Sequence, residues 1–333
     1  MSKGIQTNRI VVGSFKYAGR SLLGRSFLIQ KNTNSTNERR FFNMSLSLEQ
    51  ANLLSNSTLQ KGVVQTFQRT SPVLELLPFM TIAGNSYQYN VEEALPRIDY
   101  REINKGYQEG GGTVRKESES LVMLGGDVDV DIFIDRTLGN INDQRAIQTE
   151  MKSKAVARQF TNTFFKGNTD VATGGDPLSF NGIDTRLVGS ANSVDVAGSA
   201  LSLAMLHELL DLIEGGADVI FMTKKTRRAL QAILEGQTHY IDEGRDKFGR
   251  VVQMFGGVEI RVMENGYGVN DGELYAMRFG KEEAVSGLTN GGVMVTDLGQ
   301  IKEKPVLRTR IEFYCGMAIF NPKTAARIYG LSV

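Results

Sequence analysis

The stretch that most constrains this 333-residue chain is residues 81–134, which carry strand patterning twice and no core to set it on. From 85 to 93, Tyr87, Tyr89 and Val91 alternate with Gln88, Asn90 and Glu92, the period of two of a half-exposed strand. Further on, Asp127, Asp129 and Asp131 alternate with Val128, Val130 and Ile132 in the same way. Between them runs a long polar stretch, 94–120, that holds Gly110, Gly111 and Gly112. Together they predict a long two-stranded arm, not a tight hairpin. An isolated pair of strands is marginal in water. Such an arm needs a surface to lie on, and the sequence offers little of its own.

The rest of the chain alternates helical and extended patterns, an α+β composition. Residues 47–77 read as helical pieces, with Ser71-Pro72 as cap and first turn and Pro78 as the end. The clearest helix covers 142–166. Asp143 lies in its first turn, Ile147, Met151, Ala155, Val156, Phe160 and Phe164 form a drifting apolar stripe, and Glu150 and Lys154 are an i,i+4 pair. Gly167 is the stop, so the helix spans roughly 35–40 Å at about 1.5 Å per residue. Residues 201–213 form an amphipathic helix broken by Gly215-Gly216, and 219–222 a buried strand. Thr223 caps a helix to about Leu234, and 242–249 is a polar loop. Strands 251–255 and 258–262 meet at the hairpin signal Gly256-Gly257. Further strands fall at 274–279 and 293–295, then extended segments at 301–320. Pro322 opens a final helix over 323–329.

Composition narrows the function. Hydrophobic residues make up 41% of the chain, enough for a substantial core. The single cysteine, Cys315, cannot form an internal disulfide and sits in an apolar run, as a small buried hydrophobe does. No apolar run approaches the roughly 18 residues of a membrane span, and the first 43 residues lack a secretory h-region. Those 43 residues hold eight basic side chains (Lys3, Arg9, Lys16, Arg20, Arg25, Lys31, Arg39, Arg40) against Glu38 alone. The remainder has 30 basic and 36 acidic side chains, a mildly acidic body that argues against nucleic-acid binding by the main domain. The run 32–37 is low-complexity and is expected to be disordered, and Met44 is a candidate true start.

Catalytic constellations are not found. The two histidines, His207 and His239, are far in sequence from Cys315, and no Cys/His/acid cluster has zinc-type spacing. Gly13 to Gly19-Arg20-Ser21 resembles a P-loop only superficially. It has one residue too many between the glycines, an Arg where Lys belongs, and no strand before it. Dinucleotide and nucleophile-elbow signatures are absent. Asp127, Asp129 and Asp131 share one strand face; a weak cation site or subunit contact is one reading, the solvent face of a strand the other. No catalytic, cofactor-binding or metal-binding residue is therefore assigned, and no cofactor. Lys224, Lys225, Arg227 and Arg228 crowd the first turns of one helix, against its dipole. That leaves open a solvated basic face, an intersubunit salt-bridge site or a nucleic-acid contact.

Particular strings, in this order, resemble the major capsid proteins of tailed bacteriophages with the Hong Kong 97-type fold. Phe164-Phe165-Lys166-Gly167-Asn168 ends the long helix, and Phe180-Asn181-Gly182-Ile183 follows in the loop. Residues 217–222 lead into the Thr223 helix, Phe248-Gly249-Arg250-Val251 enters the Gly256-Gly257 hairpin, and 316–331 closes the resemblance. It covers about 44–333. It implies an N-terminal arm at 44–80, an extended β arm at 81–134 lying over a neighbouring subunit, and a peripheral domain at 135–198 and 298–317 containing the spine helix. It further implies an axial domain at 199–297 and 318–333 around five- and six-fold axes. Residues 1–43 stand outside it as a basic extension.

The function implied is self-assembly, as pentamers and hexamers, into an icosahedral shell around double-stranded DNA. The implied partners are a separate scaffolding protein and a portal, with DNA enclosed without sequence-specific binding and no membrane. The place is the virion capsid, assembled in the bacterial host cytoplasm. The acidic body fits, since a wall of the same sign as the duplex does not grip it. Candidate intersubunit contacts are Tyr87, Tyr89, Arg101, Lys105 and Lys116 on the arm, with Lys224, Lys225, Arg227 and Arg228. Some relatives cross-link Lys to Asn between subunits, but no local motif marks Lys105 or Lys116 for this. An encapsulin-type compartment of the same fold is the alternative, and an α/β enzyme a third reading. Deleting 92–119 is expected to leave soluble subunits that do not close shells.

Overall fold

The computed structural model describes residues 58–138, 144–236, 242–245 and 251–333. The expectations for 1–43 and Met44, for 47–57, for Asp143, for His239 and for the string at 248–250 lie outside those residues.

Helix α1 (Thr58–Thr70) is followed by the short α2 (Pro72–Leu76), and further along the chain by α3 (Ile132–Leu138). Ser71 separates them as expected: its Oγ accepts from Leu74 N at 3.4 Å, and Pro72 takes the first helical position, where no N–H is needed. Ser71 Oγ also lies 2.6 Å from Thr161 Oγ1 on the long helix, so one side chain caps α2 and ties it to the core.

Three sheets follow. The first has four strands in the order β1 (Phe79–Thr81), β11 (Val285–Gln300), β12 (Val306–Ile319), β4 (Val122–Asp131). The second is the two-stranded antiparallel pair β2 (Ser86–Ala94) and β3 (Thr113–Ser120). The third has seven strands, in the order β5 (Ser193–Asp195), β13 (Ala325–Tyr329), β10 (Leu274–Met277), β6 (Val219–Thr223), β9 (Val258–Met263), β8 (Val251–Phe255), β7 (Asp242–Arg245). The β8–β9 connection turns at Gly256 and Gly257 with φ of +58° and +80°, the left-handed pair a tight hairpin needs.

The strand pairing corrects the sequence-based arm. The segment 127–131 is not the partner of 86–94; it belongs to β4 and pairs with β12. Arg308 stands opposite Asp129 and Arg310 opposite Asp127, while Val128 and Val130 are buried on the other face. Opposite charges in register on one face and apolar residues on the other select this partner. The true second strand of the arm is the polar 113–120, which has no apolar alternation to mark it.

The long helix α4 (Gln144–Lys166) forms where expected, but it is rotated relative to the expected stripe. Its buried face is Thr149, Ser153, Val156, Ala157, Phe160, Thr161, Phe164 and Phe165. Ile147, Met151 and Ala155 are exposed. Thr149, Ser153 and Thr161 remain buried without orphaned hydroxyls because each donates to the carbonyl four residues earlier, at 2.8, 2.6 and 2.8 Å. The helix bridges two sheets. Phe160 packs on Phe79 and Phe313 of the four-stranded sheet, at ring distances of 6.0 and 5.5 Å. Phe165 packs on Phe221 and Tyr275 of the seven-stranded sheet, at 5.5 and 4.9 Å. The opposite face of the seven-stranded sheet is covered by α6 (Leu203–Asp211) and α7 (Lys224–Gly236), with Leu206, Leu209, Leu230 and Leu234 against Ile220, Met222, Ala276 and Ile328.

Gly167 ends the helix as expected, without a left-handed backbone. Gly182 N donates to Gly167 O at 2.8 Å, and a Cβ on Gly182 would come within 2.6 Å of Gly167 N and Thr163 O. The two glycines let the loop close on the helix end.

Two further expectations are corrected. Residues 242–245 form β7, not loop. Residues 323–329 are not a helix: a single 3-10 turn (Pro322–Thr324) leads into β13, between β10 and β5 in the sheet, where burial of Ala325, Ala326 and Ile328 overrides the Pro-led helix signal. The sheets draw strands from both the expected peripheral and the expected axial segments. Val285–Gln300 lies wholly in the four-stranded sheet, crossing the 297/298 boundary, and Ser193–Asp195 lies in the seven-stranded one, before the 198/199 boundary.

Candidate functional site

The β2–β3 pair projects as an arm with an anchored root and a free tip. At the root, Tyr87, Tyr89 and Val91 face the body, and Gln88, Asn90 and Glu92 face away. The Phe320 ring sits 4.8 Å from Tyr89 and 6.1 Å from Tyr87, and Ile82, Leu288 and Ala318 complete the cluster. Burial, then the charge of Glu119, pushes the Tyr89 hydroxyl up to about 12, so it stays protonated and donates to Glu119 Oε1 at 3.3 Å. Tyr89, an expected intersubunit contact, is buried within its own subunit, and Tyr87 beside it is half-buried.

The tip, residues 95–112, is exposed except at Asp99, which is half-buried. It displays Leu95, Ile98, Tyr100, Ile103 and Tyr107, with Tyr100 as open as in an extended peptide (106%). Its polar contacts are its own. Lys105 pairs with Glu102 at 2.7 Å, and the Arg101 guanidinium lies 5.4 Å from the Tyr107 ring centre. Arg101 and Lys105 are thus on the tip, and Lys116 is on the outward face of β3 opposite Asn90.

Sequence reasoning missed the residue beneath the root. Arg186, on the one-turn helix α5 (Ile183–Leu187), grips Glu119 with both terminal nitrogens, Nη1 to Oε1 and Nη2 to Oε2 (2.7 Å). The guanidinium is fixed to the body by Nε donating to Asn181 O at 2.8 Å and Nη2 to Met317 O at 3.2 Å. Burial opposes the Arg186 charge, but the hydrogen bonds and charge of Glu119 outweigh it, and the net shift of its pKa is upward. Toward the tip from this pair, a cavity of about 320 Å³ opens between Val91, Arg115 and Glu117 of the arm and Asn181, Thr185 and Pro322 of the body. Glu119 and Arg186 are 67 residues apart, and no local pattern joins them.

Two other polar clusters fix the frame. Arg308 grips Asp129 with two bonds of 2.6 Å, and Arg310 grips Asp127 with bonds of 2.7 and 3.0 Å. Asp131 Oδ1 accepts from Phe133 N. Asp127 and Asp129, on the more open face of the strand, are therefore rungs of a cross-strand ladder, while Asp131 binds the backbone just after its own strand. At the end of the spine helix, Lys166 Nζ donates to Asp184 (2.6 Å), Glu273 (2.7 Å) and the Tyr275 hydroxyl (2.9 Å). Tyr275 donates on to Asp184 at 2.7 Å, and Arg327 pairs with the same carboxylate at 2.8 Å. This network pins the helix to strands β10 and β13.

The basic group at 224–228 lies elsewhere, at the C-terminal end of β6. Thr223 caps α7, accepting from Thr226 N at 3.4 Å. Lys224, Lys225 and Arg228 are exposed, Lys224 being 3.8 Å from Glu264, and Arg227 is half-buried. Cys315 is fully buried, and His207 is exposed, its ring 5.0 Å from Phe255. Among the described residues, no group of three or more His, Cys, Asp and Glu is placed to hold a metal. No described helix is long and apolar enough to cross a membrane.

Known proteins share this architecture. Residues 55–202 match the sequence model of the GP7 major capsid protein family, and residues 136–272 that of the SU10 major capsid protein family. No curated protein matches the sequence. Among solved structures, the SrpI encapsulin of Synechococcus elongatus PCC 7942 is similar at 16% identity and a TM-score of 0.61, covering 84% of this chain and 94% of that one. The Microbacterium phage Oxtober96 chain is similar at 15% identity and a TM-score of 0.58, covering 78% and 90%. The Mycobacterium phage Bobi chain is similar at 12% identity with the same TM-score and the same two coverages. The chain thus has the Hong Kong 97-type fold of phage capsids and encapsulins, and two overlapping stretches of it match major capsid protein families.

Proposed function

We propose that this chain is the major capsid protein of a tailed phage, a structural subunit without catalytic activity. It assembles into an icosahedral shell around double-stranded DNA. The observation that carries this is the tip of the arm: an extended, apolar-bearing loop held clear of its own body by a built anchor. Exposed apolar groups concentrated on one projection mark an interaction surface, and in a closed symmetric assembly each subunit supplies the surface its neighbour lacks. The matches to two capsid families support the same reading.

The finer parts of the proposal are these. Subunits form pentamers and hexamers, with the seven-stranded sheet and its helices toward the symmetry axes and the spine helix with the four-stranded sheet at the periphery. Arg101, Lys105 and Lys116 meet a neighbour, as do Lys224, Lys225, Arg227 and Arg228. A separate scaffolding protein and a portal take part. DNA is enclosed without sequence-specific contacts, and assembly takes place in the bacterial cytoplasm. The encapsulin-type compartment is kept as the second reading because an encapsulin is among the similar folds. Sedimentation velocity and negative-stain imaging of the chain, expressed in full and from Met44, with and without a scaffolding partner, test the proposal. Shells, tubes, sheets or five- and six-membered rings are expected. A strictly monomeric species at high concentration under all conditions overturns it, and protein cargo in place of DNA inside native particles selects the encapsulin reading.

A further inference from the structure

The arm is a separate sheet: β2 and β3 pair only with each other, and their strands do not continue into the four-stranded sheet. Two chain crossings join it to the body, at 82–85 and at Leu121, bridged by Leu121 N donating to Asn85 O at 2.8 Å. Such a joint leaves the arm's direction to be set by side chains. On the inner face, the Phe320 ring holds the apolar side of the root, and Arg186 holds Glu119. Toward the tip from that pair, Tyr89 and Val91 still pack in the root cluster, but a cavity of about 320 Å³ separates Arg115 and Glu117 from the body. Both holders sit where the two large sheets meet. Phe320 lies between the end of β12 and the start of β13, and Arg186 is on α5, whose neighbour Asp184 belongs to the Lys166 network.

We infer that the Arg186–Glu119 pair is the positioning latch of the arm: it fixes the angle at which the arm leaves the body, and so the curvature at which a second copy docks. This rests on the shell reading for its consequence, though not for its geometry. The guanidinium is held by two main-chain carbonyls before Glu119 arrives, so it offers a prearranged two-pronged seat, and a fork-to-fork pair fixes direction as well as distance. The lever is long. From Glu119 to Thr113 is about 20 Å of strand at roughly 3.3 Å per residue. A turn of about 10° at the root thus shifts the base of the tip by roughly 3–4 Å, enough to misplace a contact at van der Waals range.

The test uses four versions of the full chain: unaltered, E119Q, R186K and E117Q. Glu117 pairs with Arg115 on its own strand, not with Arg186, so E117Q makes the same charge change on the same arm without touching the latch. Hydrogen exchange on unassembled subunits reads the joint, and particle diameters by negative stain read the curvature. For E119Q, amides of 86–94 and 113–120 are expected to exchange at least tenfold faster, with 144–166 unchanged, and the particles to be mixed in size or open. R186K, which keeps the charge and loses the fork, is expected to fall between E119Q and the unaltered protein. E117Q is expected to match the unaltered protein on both readouts. Unchanged arm exchange in E119Q and R186K, or an equal effect of E117Q, overturns the latch. Loosened arms with an unchanged diameter distribution overturn its control of curvature. Failure of the unaltered chain to assemble both with and without a scaffolding partner refutes the shell reading alone, because the exchange comparison still decides the latch.

Discussion

Replacing residues 95–112 by a two-residue Asn-Gly turn separates what the tip does for its own subunit from what it does for a neighbour. Ala94 and Thr113 face each other in the β2–β3 register, so a tight turn joins them without disturbing the root. The expected deletion of 92–119 is a poorer experiment, because it removes β3 and Glu119 and strips the partner strand from Tyr89 and Val91. In the structure Leu95, Ile98, Tyr100, Ile103 and Tyr107 are 69–106% exposed, so their loss leaves subunit stability within about 0.5 kcal/mol. Buried on a neighbour, five such side chains are worth roughly 7–15 kcal/mol gross, at about 1.5–3 kcal/mol each. Association costs consume much of that. A surviving third, about 2.5–5 kcal/mol, still changes an association constant by roughly sixtyfold or more. The assay pairs a urea melt of the soluble subunit with sedimentation of the assembly reaction. The expected result is an unchanged melting midpoint and no closed shells. Normal shells from the shortened chain would refute the reasoning, as would a marked fall in the urea midpoint, which would show that the tip belongs to the subunit's own fold.

Three more outcomes follow from the side-chain geometry. Hydrogen bonds from Arg310, Arg308 and Arg145 hold the carboxyls of Asp127, Asp129 and Asp297 below the ordinary range. A depressed folded-state pKa gives stability that is present above the ordinary carboxylate value and is lost as pH falls through the folded one. Urea midpoints taken from pH 7 down to pH 3 are therefore expected to fall, and to fall less steeply in R308M; equal slopes would count against the ladder. Tyr275→Phe removes the hydroxyl shared by Lys166 and Asp184 and is expected to cost about 1–3 kcal/mol in a denaturant titration, whereas a cost near zero would mean that the network does not pin the helix. Burial pushes the Cys315 thiol pKa up, so a thiol reagent is expected to label the native subunit only at its unfolding rate. Rapid stoichiometric labelling in native buffer would contradict the packing.

What could be read from the sequence divides along physical lines. Local signals held: the Ser71-Pro72 cap, the Gly256-Gly257 hairpin, the Thr223 cap and the extent of the long helix each depend on neighbours within a few residues. Its buried face was misjudged because Thr149 and Ser153 look polar, yet satisfy their hydroxyls on the helix backbone and can go inside, leaving Ile147 and Met151 out. Pro322 did begin a turn, but the fate of 325–329 was decided by a slot between β10 and β5 that no local pattern reveals. The arm was visible as strand patterning, while its second strand was misassigned. The apolar–acidic alternation at 127–132 was the stronger signal, and its true partners, Arg308 and Arg310, lie far along the chain. For the same reason Glu119 and Arg186 were not paired.

The four-stranded sheet closes over long distances in sequence. Asp129 meets Arg308 across 179 residues, and Pro78 O accepts from Ser286 across 208. The chain between β4 and β11 carries most of the seven-stranded sheet, and the β2–β3 arm is local to itself. Contacts of low sequence separation form early, and those that must close long loops form late. The arm strands can thus zip before the sheet that supports them exists, but Phe320, which anchors them, arrives only when β12 has been laid down. A subunit caught midway through folding has an arm with no fixed bearing. Under the latch reading, such a subunit is a poor recruit, and completion of the slow sheet acts as a timer that keeps half-folded chains out of a growing lattice.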